Sequence, residues 1–159
     1  MKKYSIVFLI LSIVCAQSTI PDAKVRLLSN KTINLHELAG NVSFVSFWAT
    51  WCIPCIKEID VLSKLIEKYG DKVSVILINT DDPGKIGKVK SFVNSKKYLK
   101  KNNYHIVMDY NRKLSRRFNA QPIPLSLIVE NNNITYRKRG FIPGDENIFE
   151  KELDAIFNK

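Results

Sequence analysis

Cys52 and Cys55 flank Ile53 and Pro54 in the run Trp51-Cys52-Ile53-Pro54-Cys55. Two thiols at this spacing can face one helix terminus. The apolar run Val42 to Phe47 enters the motif, and an amphipathic helix pattern leaves it. A helix N-terminus stabilises negative charge, so Cys52 placed there ionises near neutral pH, and the thiolate is the species that attacks disulfides. Cys55, one turn further on, is then the resolving thiol. Two other uses of the pair stay open. A static disulfide closing so short a loop adds little stability to a domain with a good core. Zinc normally takes four ligands, whereas copper(I) accepts two thiolates. A copper(I) carrier or metal-site assembly factor is therefore the alternative to exchange chemistry.

Glu58 follows Cys55 by three residues, a neighbouring position on a helix. A carboxylate beside a thiol opposes thiolate formation and can accept its proton. The plainer reading is a solvated glutamate on the helix face. Trp48 is expected in the core and Trp51 at the rim of the site. His36 and His105 are isolated and read as structural. Asn30, Asn41 and Asn133 begin N-x-S/T matches, read as chance in an asparagine-rich chain.

The elements that must position these residues alternate along the chain. Strands are expected at Val25 to Leu28, Val42 to Phe47, Val73 to Ile78, Ile106 to Met108 and Leu125 to Val129. A helical turn over Leu35 to Ala39 stops at Gly40. The helix from Pro54 to Tyr69 carries Ile56, Ile59, Leu62, Leu65, Ile66 and Tyr69 on one face, with Gly70 ending it. Asp82-Pro83 reads as a helix start with a capping carboxylate, and Arg112 to Phe118 as a further helix. A turn at Asn131 to Asn133 leads to a hairpin strand over Ile134 to Phe141. Asp145 is expected to cap the last helix. This order implies an α/β domain with a central mixed sheet and helices on both faces.

With 159 residues, 45% hydrophobic and 25% charged, the chain is sized for one globular domain. The net charge of +10 favours acidic partners or anionic surfaces. No nucleic-acid motif accompanies that charge, so nucleic-acid binding is not expected. Lys2 and Lys3, then the apolar run Tyr4 to Val14 and the small residues Ala16 and Ser18, read as a signal peptide. An uncleaved membrane anchor is the other reading of residues 1–18, with the domain over 19–159. Cys15 is a candidate lipid-attachment site, although Val14 stands where a small residue is usual. Export would leave the domain only Cys52 and Cys55.

The order Phe47-Trp48-Ala49-Thr50-Trp51-Cys52-Ile53-Pro54-Cys55, then Glu58, then Ile123-Pro124 before a strand, resembles the TlpA/ResA branch of the thioredoxin superfamily. The Leu35-x-x-Leu38-x-Gly40 segment and Gly140 fit as well. The resemblance implies a thioredoxin-like fold with an extra helix and strand between Thr80 and Met108. It implies an extracytoplasmic thiol–disulfide oxidoreductase, without a cofactor beyond its own dithiol. Its expected partners are exported protein thiols or disulfides, apocytochrome c among them, and a membrane electron donor. It assigns catalytic roles to Cys52, Cys55, Glu58 and Pro124. Pro124 is the implied cis-proline, with Pro122 a competitor, and Glu58 takes part in proton chemistry at the dithiol. Trp51, Ile53, Pro54 and Ile123 form the expected substrate-binding rim. Ser46 stands where thioredoxins carry a buried acid, and a serine is no general base at neutral pH.

Overall fold

The central strand β3 (Val42–Trp48) is buried along its whole length. In the computed structural model, which describes residues 19–159, it lies at the middle of a five-stranded sheet. The expected leader and Cys15 lie outside the described residues. β3 runs parallel to β4 (Ser74–Asn79), which runs parallel to the edge strand β5 (Tyr104–Met108). On its other side β3 is antiparallel to β6 (Leu125–Glu130), which pairs antiparallel with β7 (Asn133–Arg139). The sheet order is β5-β4-β3-β6-β7. A separate hairpin, β1 (Lys24–Arg26) and β2 (Thr32–Asn34), is tied to β5 by a bridge between Leu27 and Val107.

Side chains alternate across the pleat. Phe44 and Trp48 of β3 enter one core with α2 (Ile53–Glu67), α3 (Ile86–Ser95) and α5 (Asp145–Phe157). Val45 and Phe47 enter the other, with α1 (Leu35–Ala39) and α4 (Lys113–Arg117). Strands covered on both faces read as near-continuous apolar runs, as β3 and β4 do, broken in β3 by Ser43 and Ser46 and in β4 only at its ends by Ser74 and Asn79. Phe44 meets Phe149 of α5 edge-on at 5.0 Å between centroids, fixing that helix over the middle of the sheet. The mixed sheet, the helices on both faces and the inserted α3–β5 unit agree with the expected fold. Among the described residues no helix is long and apolar enough to cross a membrane.

Three local readings are corrected. Asp82 makes no cap bond: Pro83–Lys85 form a 3-10 turn before α3, and the Asp82 carboxylate lies 3.4 Å from Arg112. Proline's fixed φ suits either helix type, so it marks a start without choosing between them. Asp145 is the first residue of α5 rather than its cap. Gly144, at φ 102°, holds the cap position, and the Asp145 carboxylate accepts the Ile142 N–H at 2.8 Å. The helix after the cysteines ends at Glu67 rather than Tyr69, and Gly70 turns the chain at φ 58°, a conformation costly for other residues.

Candidate functional site

β3 ends at Trp48, and the next four residues bring the chain to the start of α2. Cys52 is the N-cap residue, and its Sγ accepts the Cys55 backbone N–H at 3.3 Å. The two cysteines form a disulfide with their Cα atoms 5.3 Å apart. Cys55 is fully buried, whereas Cys52 keeps 4% exposure. Of the two cysteines, only Cys52 keeps surface that an incoming group can reach. Trp51, Ile53 and Pro54, its neighbours in sequence, are exposed.

The turn before the motif is clamped from β4. The Asp81 carboxylate accepts the Thr50 N–H at 2.8 Å and the Thr50 hydroxyl at 3.0 Å. Asn79 holds the same carboxylate through its side-chain N–H at 2.8 Å. Thr80 donates to the Trp48 carbonyl through both its backbone N–H and its hydroxyl. Neither Asp81 nor Asn79 carries a motif signature, and the sequence reading passed over both.

Ile123 and Pro124 lie on the other side of the disulfide. The Ile123 carbonyl oxygen is 3.9 Å from Cys52 Sγ. The Ile123–Pro124 bond is cis, and so is Gln121–Pro122. The two prolines are therefore not alternatives, since both adopt the cis form. Pro124 is buried at the start of β6, while Pro122 is exposed.

Glu58 is not a solvated helix-face residue. It is fully buried in α2. The Ser46 hydroxyl donates to one carboxyl oxygen at 2.6 Å, and the Ser126 hydroxyl donates to the other. Ser46 and Ser126 are direct partners across β3 and β6, and Ser126 pairs in turn with Lys138 of β7. The sheet thus lays a polar row beneath the carboxyl. Lys138 is itself paired with Asp145 at 3.2 Å. Burial raises the Glu58 pKa from 4.5 to about 7, against the lowering effect of the Ser126 and Ser46 hydrogen bonds; Asp145 raises it and Lys138 lowers it further. Ser126, Lys138 and Asp145 were missed as site residues, because their link to Glu58 exists only once the strands are in register.

Trp48 is fully buried in the core and packs on Phe92 at 4.9 Å, as expected. His36 lies 3.0 Å from the Ile20 carbonyl, a structural contact. His105 is half-buried on β5, away from the cysteines, and burial lowers its pKa.

A disulfide at a helix N-cap, a cis-proline beside it and a buried acid one turn below can be compared with known proteins. The redoxin family matches residues 16–153. The chain belongs to the redoxin family. This redoxin is TlpA/ResA-like: it is 33% identical over 111 residues to the thiol-disulfide oxidoreductase ResA of Bacillus anthracis, covering 69% of this chain and 61% of that one. It is 27% identical over 115 residues to the thioredoxin-like protein YneN of Bacillus subtilis, covering 72% and 65%. The matched stretch thus spans less than two thirds of these relatives' own length. Among solved structures, an uncharacterized thioredoxin-like protein of Porphyromonas gingivalis superposes with a TM-score of 0.72 at 26% identity, covering 87% of this chain and 92% of that one. StoA of Bacillus subtilis superposes with a TM-score of 0.63 at 19% identity, covering 84% and 99%. That second likeness is one of fold.

Proposed function

We propose that this redoxin is an extracytoplasmic thiol–disulfide oxidoreductase that reduces disulfides in exported proteins, with apocytochrome c one such class. The observation that carries the reading is the placement of Cys52 Sγ. It sits at a helix N-cap and receives a backbone N–H, and Cys52 is the one residue of the pair that keeps any exposed surface. In the dithiol form that donor and the helix terminus favour the Cys52 thiolate.

The reaction runs in two exchanges. The Cys52 thiolate attacks one sulfur of a substrate disulfide, forming a mixed disulfide and releasing the first substrate thiolate. Cys55 then gives up its proton and attacks Cys52 Sγ. The Cys52–Cys55 bond forms, the mixed disulfide breaks, and the second substrate thiolate leaves. Two electrons pass to the substrate, and a membrane electron donor restores the dithiol. Glu58, at a pKa of about 7, is suited to take the Cys55 proton. The Ile123 carbonyl and Pro124 border Cys52 where an extended substrate segment would lie, and Trp51, Ile53 and Pro54 form the rim.

The direction rests on the electrostatics of the pair. Strong oxidants depend on a highly stabilised reduced form. Ile53-Pro54 supplies no cation to Cys52, and a Glu58 carboxylate works against a thiolate nearby. Residues 1–18 are proposed as a signal peptide or anchor, with Cys15 a candidate lipid site. The function is tested by mixing the reduced protein with a peptide disulfide. Cys55→Ser is expected to accumulate a mixed disulfide at Cys52, and Cys52→Ser to form none. Equal trapping at both positions, or at neither, would refute the assignment.

A further inference from the structure

A groove opens beside the redox pair, and apart from Trp51 its lining is not used by the exchange steps above. It measures about 670 Å³ and runs between Thr50-Trp51 and the beginning of α3, where Gly84, Lys85, Gly87 and Lys88 line it. A Cβ added at Gly84 or Gly87 would meet nothing within 4 Å, so the two glycines leave this wall open. Lys85 and Lys88 are three residues apart and share one side of the helix start. Both are exposed, and neither has a carboxylate within ion-pair distance among the described residues. Trp51, 68% exposed, supplies an apolar wall.

Resting on the proposed exchange activity, we infer that this groove is a specificity subsite that selects substrate segments carrying Asp or Glu close to the reacting cysteine. Thr50 and Trp51 immediately precede Cys52, so a chain seated in the groove lies next to the disulfide. Two lysines without a carboxylate partner among the described residues, lining a groove with an apolar wall at Trp51, complement such a segment in charge and in shape. The adjacency to the sulfur favours a substrate polypeptide over a lipid surface, which would have no reason to sit against the redox bond. The charged contact acts on encounter and binding rather than on the sulfur chemistry.

The test uses single-turnover reaction of the reduced full chain with three symmetrical peptide disulfides that differ only in flanking residues: Glu, Gln or Lys. Cys52 attacks the peptide disulfide, Cys55 closes the protein disulfide, and two peptide thiols leave. The expected result is a second-order rate roughly fivefold higher for the Glu peptide than for the Gln peptide at low salt. This ratio should shrink towards one as salt shortens the Debye length to a few ångströms. The double variant Lys85→Glu/Lys88→Glu should reverse the order, so that the Lys peptide reacts fastest. Equal rates for all three peptides, or an unchanged order in the double variant, would overturn the subsite while leaving the exchange reaction standing. No reaction with the Gln peptide would instead bring down the exchange activity, and the subsite with it. Lysine-dependent sedimentation with anionic vesicles, without any peptide preference, would assign the groove to a membrane surface and likewise overturn the inference.

Discussion

A carboxyl group with a pKa of about 7 changes charge inside the pH range where thiols begin to ionise. In the folded protein Glu58 keeps its proton up to about pH 7, whereas the unfolded chain releases it near pH 4.5. Between these values the folded state binds more protons. The stability that Glu58 contributes therefore falls as pH rises through that window and levels off above it. The shift corresponds to roughly 3 kcal/mol. Urea unfolding of the oxidised protein and of Glu58→Gln at pH 5 and pH 8 measures this. The wild-type advantage over the variant should shrink by about that amount at the higher pH, and an equal difference at both values would contradict the assignment. Ser126→Ala removes a donor to the charged carboxylate. It should raise the Glu58 pKa further, read by carboxyl carbon NMR, and cost about 1–3 kcal/mol at pH 8. The two cysteines were legible from spacing alone. The burial of Glu58 was not, since a glutamate three residues after a cysteine reads equally well as solvated. Ser46 was visible only as a missing acid. Its true partner, Ser126, lies 80 positions away and is brought opposite by the β3–β6 register.

At the scale of elements, the site is a junction. β3 delivers the chain, Asp81 pins it at Thr50, and Cys52 caps the start of α2. Asp81→Ala leaves the Thr50 N–H and hydroxyl without their partner and is expected to destabilise the protein by about 1–3 kcal/mol. Amide exchange should quicken at Thr50 more than in the strands, whereas uniform quickening would show a global effect without a local clamp. Leu62, buried in α2 against the sheet, should cost about 2–5 kcal/mol as Leu62→Ala in denaturant melts, with the disulfide still forming. The elements read well where period or continuous apolar character was strong, as in β3, β4 and α2. β2 was missed because three half-exposed residues carry no such signal, and its strand character comes from pairing with β1. The 3-10 turn before α3 was missed because the Asp-Pro signature marks a start without revealing the kind of helix.

For the whole molecule, two cores on opposite faces of one sheet hold the redox pair at the edge of a rigid frame. The alternation of strand and helix made the mixed sheet and the inserted α3–β5 unit legible. The groove beside Trp51 was not, because it is a space between segments separated by over thirty residues. The central claim is that this frame sets a reducing dithiol. Equilibrating the protein against glutathione and dithiothreitol buffers, followed by tryptophan fluorescence next to Cys52, gives the reduction potential of the Cys52–Cys55 couple directly. The account predicts a single reversible two-electron transition at or below about −250 mV. A value near about −120 mV would make the protein an oxidant, and the absence of any reversible couple would contradict the exchange activity itself.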